Sequence, residues 1–387
     1  MFYNPVAIIA ILFFVVVLSE WLSDKAYFRH AGTGLLVIIF GAVLSNVGII
    51  PASTPASPVY DAVFSYIAPL SIFLILLRVN LASLKKAGRP MLIMFLIGSA
   101  ATVVGVLVSM WLLNGKSEIG EFYYAIAGMY TGTYTGGSLN FNAVALNYNI
   151  SQEGSLYTAA TVADNIMSAL WVVATLAIPQ FLNKKFPRKK TAGYSSDEQS
   201  SAVTIHSDTE NVGPFDVAFL LLLGLTAIIV SSWLNHMIPS IPSILWLTTF
   251  ALILAQIPFI HNLKGHKLLG LLGVYIFLTV IGAYCDIPAL IDNGRLAIVL
   301  LAMVTMLVLV HGVITYGAGA LMKQDWDIIS IASQANVGGT ATAMALARSL
   351  DRNELVLPGI LAGALGNALG SYLGIMVSEF MVYSGWF

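Results

Sequence analysis

The chain has 387 residues, of which 58% are hydrophobic and only 10% charged, with a net charge of −1. Ordinary soluble domains carry about 25% charged residues, so a soluble globule is excluded, and the near-zero charge argues against a nucleic-acid partner. The lone Cys285 rules out an internal disulfide framework, no Cys/His cluster has zinc spacing, and neither H-E-x-x-H nor a Walker loop is present, so no resident cofactor and no ATP-driven step is expected.

Apolar segments fall at about 4–22, 32–50, 59–79, 90–113, 121–149 and 154–182, each close to the roughly 20 residues a helix needs to cross the hydrocarbon core. The first has no basic residue before its apolar run and no small-x-small cleavage site, so it reads as a membrane helix rather than a signal peptide. A polar stretch, 183–214, follows, with Lys184, Lys185, Arg188, Lys189 and Lys190 and then a Ser/Asp/Glu-rich tail. Its basic run reads as a positive-inside anchor, with contact to anionic lipid as a secondary role. Further apolar segments lie at about 215–237, 241–260, 267–285, 295–322, 326–349 and 354–382. This is the pattern of an all-α polytopic membrane protein, organised as a first membrane repeat (1–182), a linker (183–214) and a second membrane repeat (215–387).

The halves match at polar interruptions. Gly132-Thr133-Tyr134-Thr135-Gly136-Gly137-Ser138-Leu139-Asn140-Phe141-Asn142 has a counterpart 202 residues on, Gln334-Ala335-Asn336-Val337-Gly338-Gly339-Thr340-Ala341-Thr342. At the same offset Asp164-Asn165 becomes Gly366-Asn367, and Ile72-Phe73-Leu74 recurs as Ile276-Phe277-Leu278. If both Gly-Gly segments are re-entrant hairpins, each half crosses five times and the second is inverted. With the N-terminus outside, that topology places inside Lys25, Arg29, Lys85, Lys86, Arg89, the linker cations, Lys264, Lys267, Lys323, Arg348 and Arg352, leaving only Lys116 and Arg295 outside and Arg78 within a helix. An all-crossing topology leaves nine basic residues outside and eight inside. The positive-inside rule therefore favours ten membrane helices in two inverted five-helix repeats, each with one re-entrant (or broken-helix) segment, a cytoplasmic linker and both termini outside.

Non-helical backbone survives in a bilayer only where protein or a water-filled cavity satisfies it, and paired interruptions in two halves point to a transporter binding site. The half-helices restarting at Ser138 and Thr340 offer free N–H groups and a positive dipole end for an anion. On this reading Ser138, Asn140, Asn142, Asn336, Thr340 and Thr342 face a solute, while backbone and side chains at Thr135, Gly136, Gly137, Gly338 and Gly339 serve Na⁺. The alternative for such small residues is close helix packing. Asp164, about ten residues into an apolar helix, is costly there, so a role in ion or proton binding with Asn165 and Asn367 is expected; a structural pairing is the competing reading. Arg78 can snorkel to the interface or pair with Asp164. His311, alone on an apolar helix, reads as a hydrogen-bonded packing residue.

Thr133–Phe141, Ala335–Ala343 and the run Leu77-Arg78-Val79-Asn80-Leu81 resemble the YjcL-like integral membrane proteins, over nearly the whole chain. Those proteins are grouped by similarity with the cation:proton antiporter and anion transporter superfamily. The resemblance implies inverted repeats, Gly-Gly re-entrant loops, frequent homodimers and an elevator-type moving core. The motifs here read Gly-Gly-Ser and Gly-Gly-Thr, without the further Gly of the citrate and glutamate carriers, so their substrates do not transfer. The expectation is a non-enzymatic, multi-pass protein of the cell membrane. It would be a secondary transporter of a small polar or anionic solute (a carboxylate, amino acid or small peptide) coupled to Na⁺ or H⁺. The alternatives are a cation:proton antiporter carried by Asp164, or an ion channel or structural membrane subunit.

Overall fold

The computed structural model of the chain describes residues 4–25, 32–52, 57–188, 212–285, 287–288 and 294–384. Its elements in order are α1 (Pro5–Ser23), α2 (Gly32–Asn46), α3 (Pro58–Ala62), α4 (Ala68–Leu76), α5 (Arg89–Leu112), α6 (Gly115–Ile119), α7 (Tyr123–Gly136), α8 (Ser138–Asn147), α9 (Gly154–Lys185), α10 (Pro214–Met237), α11 (Ser243–Leu254), α12 (Pro258–His261), α13 (His266–Ala283), α14 (Gly294–Leu321), α15 (Trp326–Ser349) and α16 (Val356–Ser384). No strand occurs among the described residues. Among the described residues eight spans are long and apolar enough to cross a membrane (α3 and α4 counting as one), and α2 and α11 are shorter apolar helices. The protein is thus all-α and polytopic. Residues 189–211 of the expected linker lie outside the described residues.

Local signals explain where several helices start. Prolines stand in the first turn of α1, α3 and α10, where a missing N–H costs nothing. Asn4 Oδ1 caps α1 by accepting the Val6 amide at 2.8 Å. The segment expected at 59–79 is less regular than its composition suggests. A π-helical turn, Val63–Ile67, separates α3 from α4. Pro69 follows at once; it has no N–H for the α-helical ladder and its ring crowds the carbonyl four residues back, so the wider turn relieves the conflict. The helix then stops at Leu76, which corrects the placement of Arg78: it lies beyond the helix end and is exposed.

The chain divides into two compact units, each drawing on both halves of the sequence. The first comprises Met1–Arg78, Ala145–Asn165 and Asn211–Leu300. Within it α2 and α13 touch backbone to backbone: a Cβ on Gly41 would collide with the Thr279 carbonyl, and one on Gly282 would sit 3.0 Å from Ile38 Cα. Ser45 Oγ donates to Ala283 O at 2.7 Å and Asn46 Nδ2 to Cys285 O at 2.8 Å, so polar side chains fasten the contact that apolar matching alone leaves free to slide.

The second unit comprises Val79–Val144, Ile166–Glu210 and Leu301–Phe387. Its core joins Met91, Met94 and Phe95 of α5 to Ile328, Ile331 and Ala335 of α15 and Ala362 of α16. Both Gly-Gly segments lie here. Gly137 (φ 96°) ends α7, and Gly339 (φ 72°) interrupts α15, conformations open to glycine without a Cβ penalty. The first pair of half-helices folds back on itself: Gly132 packs on Asn140, Gly128 on Val144, and the Tyr130 and Phe141 rings lie 6.2 Å apart. The second does likewise, since a Cβ on Gly359 would meet both Ile331 Cγ2 (2.9 Å) and Ala343 Cβ (3.5 Å). Twelve residues of straight helix would hold those two about 18 Å apart.

Candidate functional site

The two breaks meet. A Cβ on Gly137 would lie 3.8 Å from Gly339 Cα, and one on Gly339 would lie 3.4 Å from Gly136 O. Helix α16 closes the third side: a Cβ on Gly136 would strike the Gly366 carbonyl group and come within 2.6 Å of the Asn367 amide. Three backbones therefore converge, and at Gly136 and Gly366 a side chain larger than hydrogen would force α7 and α16 apart.

Polar atoms crowd this crossing, and several lack partners among the described residues. Asn336, fully buried, donates from Nδ2 to Ser99 Oγ (2.9 Å) and Thr135 O (3.3 Å), while its Oδ1 accepts nothing from them. Thr135 Oγ1 and Gln334 Nε2 are likewise buried without a partner among the described residues; Gln334 Oε1 accepts from Thr175 Oγ1 at 3.1 Å. An unmet polar atom in a low-dielectric interior costs about 1–3 kcal/mol, so oxygens at Thr135 and Asn336 are ready to meet a cation or a water. Just past the breaks the chain opens: Ser138 and Ala341 are exposed, and Thr340 and Thr342 are half-buried.

Other expected site residues are placed differently. Asn140 is buried, and its amide is spent on α16, with Nδ2 donating to Gly366 O (3.3 Å) and Oδ1 accepting from Ser371 Oγ (2.8 Å). Asn142 is also buried. Gly338 packs against Thr342 and Gln334, and Asn367 is half-buried on α16. Asp164 and Asn165 belong to the first unit; Asp164 is buried, whereas Asn165 is exposed and donates to Thr161 O of its own helix.

A buried hydrogen-bond chain supports the crossing. Trp171 Nε1 donates to Ser333 Oγ (3.0 Å), which lies 2.9 Å from His311 Nε2; His311 Nδ1 lies 3.0 Å from Gly98 O and 3.1 Å from Thr102 Oγ1, and Thr102 donates to Tyr134 O (2.8 Å). The set is consistent when neutral His311 carries its proton on Nδ1. Ser333 then donates to Nε2, Nδ1–H points to Gly98 O, and every member is satisfied. The imidazole thereby links α5, which holds the end of α7, to the first half of α15.

An ionic cluster outside the expected site holds the two ends of α15 together. Arg352 is 1% exposed; Nη1 bonds Asp325 Oδ2 (2.9 Å) and Asp327 Oδ2 (2.5 Å), and Nε bonds Glu354 Oε1 (2.5 Å). Burial lowers the guanidinium pKa, but the bonds to Glu354 and Asp327 and the charge of Asp325 outweigh it, for a net rise. Asp325 also caps α15 by accepting the Asp327 amide at 3.0 Å. A D-x-D pair ahead of a helix and an R-x-E pair behind it were the available signals, masked by reading Arg352 only as a loop cation.

A polytopic helical membrane protein is what the fold defines, with two broken helices meeting in one of its units. The chain belongs to the family described as "Protein of unknown function (DUF819)", whose model matches residues 7–383. It is 30% identical over 363 residues, 89% of this chain and 88% of the relative, to the "Uncharacterized membrane protein YjcL" of Bacillus subtilis (strain 168).

Proposed function

We propose that the protein is a secondary active transporter of a small polar or anionic solute, a carboxylate, amino acid or small peptide, driven by Na⁺ or H⁺. The observation that carries this reading is the contact of Gly137 with Gly339, ringed by buried, unpartnered Thr135 Oγ1 and Asn336 Oδ1 and opening onto Ser138 and Thr340. Helix breaks of this kind are tolerated in a bilayer where they line a hydrated site. The two half-helices that restart there aim positive dipole ends at an anion, and the oxygens before the breaks suit a cation.

On this reading both segments are re-entrant, from opposite faces, within inverted repeats. The unit that carries them is the moving core, and the other unit is the scaffold and homodimer surface. The positive-inside pattern then puts the linker in the cytoplasm and both termini outside the cell membrane. Asp164 serves as a proton or ion carrier.

The test is thermal unfolding of the purified protein in NaCl or choline chloride, with a panel of carboxylates and amino acids. A ligand at a hundred times its Kd adds about 2.7 kcal/mol to stability. Stabilisation by a solute that needs Na⁺, or that strengthens at low pH without it, supports symport. Proton movement in vesicles on adding Na⁺ alone would instead make the protein an antiporter. No solute response, together with solute-independent conductance, would overturn the transporter reading.

A further inference from the structure

At one membrane end of the second unit, three elements finish together: α9 at Lys185, α14 at Leu321, and α15 beginning at Trp326. Between them is a cavity of about 420 Å³ lined by Leu182, Phe186, Arg188, Tyr316, Ala320 and Trp326, with Gly317 in its wall. Its size falls within the ~300–1,000 Å³ common for small-molecule sites. Apart from Arg188 its lining is almost wholly aliphatic and aromatic, and its rim is exposed hydrocarbon: Phe181, Phe186 and Leu321 are 65%, 54% and 87% exposed. That combination suits an acyl chain.

Arg188 supplies the opposite chemistry at the same rim. Its guanidinium stacks on Trp326 (3.8 Å to the ring centre), while Nη1 donates to Gly319 O (3.0 Å) and Gln324 O (2.5 Å) and Nη2 to Ala320 O (3.0 Å). These bonds cap the carbonyl end of α14 and hold the group rigid. They use three of the five N–H donors, and Nε–H has no acceptor among the described residues. Asp325, the acid among the described residues that acts on Arg188, already bonds Arg352. Lys184 and Lys185 are exposed one turn before. A fixed guanidinium with a donor to spare, one turn from Lys184 and Lys185, matches a phosphate ester; clusters of cations at a membrane end attract anionic lipid at about 1 kcal/mol per residue.

We propose that this cavity is a binding site for an anionic phospholipid, with its phosphate at Arg188 and the neighbouring lysines and one acyl chain against Gly317 and Trp326. The site is separate from the Gly137–Gly339 crossing and does not rest on the transport reading.

The experiment is native mass spectrometry of the full chain released from detergent containing phosphatidylglycerol or phosphatidylcholine with identical acyl chains. The wild type should retain phosphatidylglycerol at least tenfold over phosphatidylcholine. A Cβ on Gly317 meets nothing within 4 Å, so Gly317→Leu fills the cavity without straining the helix and should abolish retention of both lipids. Arg188→Gln should remove the preference and leave phosphatidylcholine retention unchanged. If that variant unfolds for want of its cap, the Lys184→Gln/Lys185→Gln double variant should lower the preference several-fold. Equal retention of the two lipids by the wild type, or retention unaffected by Gly317→Leu, overturns the proposal. So does displacement by millimolar glycerol 3-phosphate, which would make this a site for a free phosphate ester.

Discussion

Arg352 Nη1 lies 2.9 Å from Asp325 Oδ2, and the two residues, 27 apart in the chain, are 1% and 4% exposed. The pair joins the residue just before α15 to the third residue past its end, so it clasps the base of the folded-back segment whose tip is Gly339. Removing one partner of a buried ion pair strands the other, at a cost of about 3–5 kcal/mol. Arg352→Met should therefore cost that much in reversible unfolding. Arg352→Met combined with Asp325→Asn and Asp327→Asn should recover a substantial part. Equal instability of the single and triple variants would show that the charges are not what holds the clasp.

The glycines at the crossing should rank by space and not by position in the motif. Gly136→Ala drives a methyl into the Gly366 carbonyl group, backbone that cannot give way without parting α7 from α16. Gly137→Ala meets nothing nearer than 3.8 Å and suffers only its extended positive-φ backbone (φ 96°, ψ 173°), about 1–3 kcal/mol. Gly338→Ala meets the Gln334 amide and Thr342 Oγ1, which can rotate, and Thr342 Cβ at 3.0 Å, which moves only with its helix turn. Thermal unfolding should therefore place Gly136→Ala lowest, with a smaller loss for Gly338→Ala. A larger loss for Gly338→Ala than for Gly136→Ala would contradict the convergence of backbones described above.

The sequence marked the breaks because a Gly-Gly pair among apolar residues is a local signal, and it marked the helices because hydropathy over about 20 residues is one too. It could not assign jobs to side chains at the crossing. Asn140 stands two residues past the break with every qualification for a solute ligand, yet its amide is consumed by Ser371, 231 residues away. Arg352 looked like a topology-setting loop cation because its acids sit across a fold-back that the chain order conceals. Likewise the compact units mix both sequence halves, a consequence of which helices pack together and not of where one repeat ends.

Ser371→Ala separates the two roles open to Asn140. The variant leaves Asn140 Oδ1 buried without its donor, which costs about 1–3 kcal/mol if the amide is a structural strut between α8 and α16. Asn140→Ala should cost a comparable amount, and the double variant should cost less than the sum because both lose the same bond. Unfolding measurements on the cycle read this directly. Additive losses would mean that the two side chains act independently and that Asn140 has a different principal partner.

His311 gives the last prediction, because its imidazole bonds both α5 and α15 from α14 and reports through a natural probe. Trp171 shares Ser333 with it, and the indole and imidazole centres are 6.1 Å apart in an edge-on arrangement. Replacing the ring with phenyl keeps most of the volume but leaves the Ser333 hydroxyl and the Gly98 carbonyl facing a hydrocarbon edge. The Ser333 hydroxyl left without its acceptor, at about 1–3 kcal/mol, should make His311→Phe a clearly destabilising single change in this unit. His311→Gln, which retains a donor and an acceptor, should recover part of the loss. If the ring serves only to fill space, the order reverses, with the phenyl variant the more stable. Hydrogen exchange in the 330–336 segment then decides between the two: it should rise in His311→Phe and stay near wild type in His311→Gln, since Ser333 anchors that turn of α15 to the imidazole.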